Sequence, residues 1–90
     1  MSDDRPDDTM FQDAVNALRR GDKPRAKELI TLLLKTDQNN VTYWVWLSAA
    51  VDNTKERIYC LQTALKLDPE NSTAKRGLIL ILTIRELPLQ

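Results

Sequence analysis

The side chains that could do chemistry in this chain are few and poorly spaced for it. Cysteine occurs once, at Cys60, and histidine does not occur. Without an imidazole there is no His-based acid–base step and no Ser–His–Asp relay, and one thiol builds neither a metal cage nor an intramolecular disulfide. Asp3, Asp4, Asp7 and Asp8 could in principle gather a hard cation. They stand in a stretch that reads as a polar tail, with no glycine where a calcium loop turns sharply. Gly21 and Gly77 are too far apart for a phosphate-cradling loop. Asp52, Glu56 and Glu70 fall near expected helix starts, where capping accounts for them better than catalysis. An enzyme, a resident cofactor and a metal site are therefore not expected, and Cys60, between apolar helix positions, reads as an inert buried thiol.

Charge narrows the partner classes. Thirteen basic and thirteen acidic side chains cancel, whereas phosphate neutralisation normally demands a basic excess. Arg19, Arg20, Lys23, Arg25 and Lys27 do cluster around one expected turn. A solvated turn is the plain explanation of that cluster, and an anion or acidic-peptide contact the sharper one. Nucleic-acid binding through it is the weakest of the functional expectations. The most apolar stretch, Leu78 to Leu82 with Ile84, is far short of the ~20 residues that span a bilayer. No basic-then-apolar leader is visible, so the expectation is a soluble, cytoplasmic product, with a piece of a longer protein left open.

The elements that would position any site follow from apolar spacing and punctuation. Residues 1–7 read as a flexible acidic tail. Met10, Phe11, Ala14, Val15, Ala17 and Leu18 then recur at helical spacing, behind a cap at Asp7 or Asp8 and ahead of a stop at Gly21. Asp22 and Pro24 open a second helix carrying a wide apolar face of Ala26, Leu29, Ile30, Leu32, Leu33 and Leu34. A third runs from about Val41 to Val51. Its Tyr43–Leu47 core would suit a strand in isolation, but its surroundings argue for helix. Asp52-Asn53-Thr54 turns into a fourth helix with Ile58, Cys60, Leu61, Ala64, Leu65 and Leu67, which ends at Asp68-Pro69. A fifth, capped by Asn71 or Ser72, runs to about Leu87, and Gly77 within it suggests a close helix–helix approach.

One segment echoes another. Leu34-Lys35-Thr36-Asp37-Gln38-Asn39-Asn40 returns 31 residues later as Leu65-Lys66-Leu67-Asp68-Pro69-Glu70-Asn71. A period of that length is the size of one helical hairpin that buries its apolar face only against a neighbouring copy.

Trp44-x-x-Leu47-Ser48, followed by Ala64-Leu65-x-Leu67-Asp68-Pro69, resembles the tetratricopeptide repeat family. The first copy matches less closely: Ala14 takes the small-residue role, and Met10, Asp13 and Gln38 replace an aromatic, a leucine and a proline. The resemblance implies an all-α fold, a right-handed stack of two antiparallel helical hairpins (residues 8–40 and 41–71) plus a C-terminal helix (72–87). Matching Met10 to Trp44 leaves the second copy three residues short, a loss assigned to the Val51–Lys55 turn.

The resemblance also implies a concave groove lined by the first helix of each hairpin and by the last helix. Carried over, the partner-binding residues are Phe11, Val15 and Arg19, then Thr42, Val45, Trp46 and Ala49, then Arg76 and Leu80. Trp46 either presents a half-exposed anchor there or packs on the adjoining helix. The Lys/Asn/Arg set with which some family members hold a peptide C-terminus is not rebuilt, since Phe11, Val45 and Gly77 stand in its place. An apolar protein or peptide segment is the expected partner. The last helix is apolar all round, which points to self-association as a homodimer through Leu78, Ile81, Leu82 and Ile84, or to cover by a further repeat or domain. The expected function is thus a protein–protein adaptor, with a structural part of a larger helical assembly as the alternative.

Overall fold

The computed structural model describes residues 6–86, and the side chains of residues 9–83. Five helices follow one another: α1 (Pro6–Arg19), α2 (Lys23–Thr36), α3 (Val41–Ala50), α4 (Thr54–Leu67) and α5 (Ser72–Glu86). No strand occurs among the described residues, so Tyr43–Leu47 is helical. Each helix packs chiefly against its neighbours in sequence, and connections of three or four residues make consecutive helices antiparallel. No helix among the described residues is long and apolar enough to cross a membrane. Most of the expected tail, residues 1–5, lies outside the described residues. Pro6 is the first residue of α1, which puts Asp7 and Asp8 in its first turn rather than at its cap.

The helix ends explain the echo. Asp37 ends α2 and Asp68 ends α4, each donating its backbone N–H four residues back, to Leu33 and Ala64. Three residues on, Asn40 and Asn71 donate their N–H groups to those aspartates' carbonyls and cap the next helices, accepting from the Tyr43 and Ala74 N–H groups. The repeated heptad is therefore one turn structure used twice.

The same spacing of 31 carries Asp22, cap of α2, onto Asn53, cap of α4, and carries the last residues of α1 and α2 onto those of α3 and α4. Both hairpin turns hold three residues, so the Val51–Lys55 turn has lost nothing. The shortfall lies in α3, which has 10 residues against 14 in α1. Counted back from the turns, Ala17 rather than Ala14 matches Ser48, and both are buried.

The two turns nevertheless close differently. After α1, Gly21 adopts φ 81°, and the Gly21 and Asp22 N–H groups donate to the Leu18 and Ala17 carbonyls, which satisfies that helix end through the backbone. After α3 the matching position is Asp52 and Val51 is extended. There the Arg57 side chain takes over, its Nε donating to the Ser48 carbonyl at 3.2 Å and Nη2 to Val51 at 3.0 Å.

Two clusters form the core. Ala14, Ala17, Ala26, Leu29, Ile30, Leu33 and Tyr43 fill the space between α1, α2 and α3, with Ile30 wholly buried. Leu61, Ala64 and Ala74 join α4 to α5, and Trp44 packs against both clusters. The buried aromatic of α3 is Tyr43, at 8% exposure, whereas Trp44 is half-buried and donates its indole N–H to the Gln38 carbonyl. Gly77 brings α5 close to α4: a Cβ there would stand 3.1 Å from Leu61 Cδ1.

Candidate functional site

Helices α3 and α5 flank α4 and leave a groove of about 690 Å³ between them, with Leu61 of α4 at its floor. That volume falls within the range of ligand-binding clefts. Thr42, Asn71 and Thr73 give one end hydroxyl and amide groups. Val45, Trp46, Gly77 and Leu80 make an apolar middle, and Ala49, Ile81 and Arg57 line it as well. Because α3 and α5 both run antiparallel to α4, Arg57 at the end of the first turn of α4 sits level with the last turn of α3, bonded to the Ser48 carbonyl.

Five of the expected partner-binding residues meet here: Thr42, Val45, Trp46, Ala49 and Leu80. The other four do not line the groove. Val15 is buried in α1, while Arg19 and Arg76 are exposed elsewhere. Phe11 acts from behind. Its ring meets Trp46 edge-on at 5.9 Å and Tyr43 at 5.5 Å, so Trp46 is half-buried, held on one side and open to the groove on the other. Both alternatives for Trp46 are thus partly realised, since it packs on α1 and still offers surface.

On α5 the apolar run divides by face. Leu78 and Ile81 turn inward against Leu61, Ala64 and Ala74, so neither forms an uncovered outer face. Ile79 and Leu82 are 61% and 46% exposed, and Leu80 faces the groove. The Ile84 side chain lies outside the described residues. Ile79, the most exposed of these residues, was missed because periodicity alone cannot orient a helix that is apolar on every side.

The basic cluster is largely engaged. Lys23 pairs with Asp52 at 2.9 Å, Arg25 with Glu28 at 3.0 Å, and Lys27 approaches Glu56 at 4.0 Å. The hydrogen bond from Lys23, with its positive charge, holds the Asp52 carboxyl below the usual carboxylate range. Asp52 is therefore an ion-pair partner rather than a cap, a role that falls to Asn53. Glu56 lies in the first turn of α4, and Glu70 is 3.5 Å from Lys75.

Cys60 is buried, and burial, followed by the nearby Glu56 charge, raises its thiol pKa to about 11. Such a thiol stays protonated at neutral pH and is a poor nucleophile.

Sequence reasoning did not place Ser48, Leu61, Asn71 or Arg57 in the groove, and Arg57 is the charged one among them. A signal existed: α3 ends without a glycine, and Arg57 stands 31 residues after the buried Ala26. A long cation in place of a small apolar residue marks a repeat that departs from its partner.

No protein-family model matches this chain, and comparison with curated proteins finds no similar sequence.

Proposed function

We propose that this chain is a small tetratricopeptide-like interaction module, two stacked helical hairpins and a further helix, whose α3–α5 groove takes an apolar segment of a partner protein. The observation that carries this is the groove itself: an apolar middle built on Val45, Trp46 and Leu80, with polar groups at both ends. The constant spacing of caps and helix ends supports the repeat assignment. The pairing of Lys23, Arg25 and Lys27 with carboxylates weighs against a nucleic-acid surface.

The test is selection of binders from a displayed peptide library on the immobilised chain. Binding is expected to fall at least about tenfold with Trp46→Ala and with Ala49→Arg, which fills the groove from an exposed position. Thermal unfolding run in parallel separates loss of fold from loss of site. Peptides that bind both folded variants as they bind the wild type would remove the groove as the site.

The exposed Ile79 and Leu82 favour a second use, self-association through α5. Sedimentation of the wild type against Ile79→Glu/Leu82→Glu decides it. A wild-type mass equal to that of one chain removes the dimer.

A further inference from the structure

Resting on the α3–α5 groove as the binding site, we propose that its occupant is an amphipathic segment carrying an aspartate or glutamate side chain that pairs with Arg57.

The charge balance at one corner of the molecule points there. Lys23 and Lys27 from α2, Asp52 from the α3–α4 turn, and Glu56 and Arg57 from α4 bring together three cations and two carboxylates. Asp52 bonds Lys23, with the Arg57 charge a lesser influence on it, and Glu56 stands 4.0 Å from Lys27. Arg57 is left with no carboxylate within ion-pair distance among the described residues, and it is the member of the set that lines the groove. Its two hydrogen bonds go to backbone carbonyls, whereas a guanidinium has five N–H donors.

Arg57 is also half-buried, in a groove whose lining is mostly apolar, where less water screens it than on an open surface. An occupant that is apolar throughout would cover this cation without matching it, and desolvating an unmatched charge works against binding. An acidic side chain at that end turns the same contact into a charge-assisted pair. The opposite end, with Thr42, Asn71 and Thr73, has no charged lining residue and sets no such demand. The proposed partner is an internal segment of a longer chain, so the carboxylate is a side chain rather than a chain terminus.

The probe is a phage library of randomised amphipathic peptides fused through their C-termini to the coat protein, so no terminal carboxylate is offered. It is selected on the full chain and counter-screened on Trp46→Ala. Groove-dependent peptides are expected to share an apolar face and an Asp or Glu at a fixed offset. Replacing that residue by Gln or Asn in the synthetic peptide is expected to weaken wild-type binding about tenfold, and the loss is expected to vanish on Arg57→Met.

Since Arg57 also satisfies the end of α3, Arg57→Lys serves as a second variant. It keeps the charge without the planar fork, so the preference is expected to shrink to about threefold. Trp46-dependent peptides with no acidic preference, or with the same preference in every folded Arg57 variant, overturn this proposal and leave the groove as the binding site. Absence of any Trp46-dependent peptide overturns both.

Discussion

Lys23 Nζ donates to the Asp52 carboxylate at 2.9 Å across 29 residues of sequence, tying the first turn of α2 to the turn between α3 and α4. The pair joins the two hairpins at the surface, where solvent screening keeps its contribution small. Because the bond lowers the Asp52 pKa below the ordinary 3.8, the stabilisation is present above the unfolded value and is lost as pH falls through the lower folded one. Wild type is therefore expected to melt slightly above Asp52→Asn at about pH 6, with the gap closing below about pH 3. The gap should also narrow in high salt, and circular dichroism melts at several pH values and ionic strengths measure both trends.

Ile30 is the largest wholly buried side chain among the described residues and packs at the junction of α1, α2 and α3. Ile30→Ala leaves a cavity there and is expected to cost about 3 kcal/mol in urea unfolding. A loss that large is a sizeable share of what a domain of this length has in hand.

Cys60 should resist thiol reagents. With its pKa raised to about 11 and its side chain covered, labelling by a disulfide reagent at about pH 8 is expected to be slow in the folded chain and fast in denaturant. Equal rates in the two conditions would mean that α4 opens freely.

Gly77 and Leu61 should behave as a coupled pair. Gly77→Ala gains about 1 kcal/mol of helix propensity, but its new methyl meets Leu61 Cδ1 at 3.1 Å, so a net change near zero is expected. In a Leu61→Ala background the obstacle is gone, and the same substitution is expected to stabilise by about 1 kcal/mol. A double-mutant cycle measured by chemical denaturation reads the coupling directly.

Helix number and helix ends were legible because they are written in local chemistry. Asp22, Asn53 and Asn71 are caps wherever the chain around them folds, and Gly21 stops α1 by a backbone property that needs no partner. The facing of α3 and α5 was harder to read. Tyr43 to Leu47 and Leu78 to Leu82 are apolar on every side, so which residue turns inward depends on what stands opposite. Tyr43 is the buried aromatic of α3 while Trp44 is half-buried, and Ile79 took the exposure expected of Ile81. The groove was half legible: four of its five α3 residues were foreseen, whereas Arg57 required knowing that α3 ends without a glycine and borrows a cation from the helix after it.

The brevity of α3 gives the trough unequal banks. Ten residues make a wall of about 15 Å, while the fifteen of α5 extend about 22 Å along the other side. Beyond Ala50 the α3 bank gives way to the extended Val51 and the α3–α4 turn, while α5 holds five more residues than α3. In the proposed binding mode a segment has a wall on both sides only along α3, the stretch that holds Trp46 and lies level with Arg57 at its end.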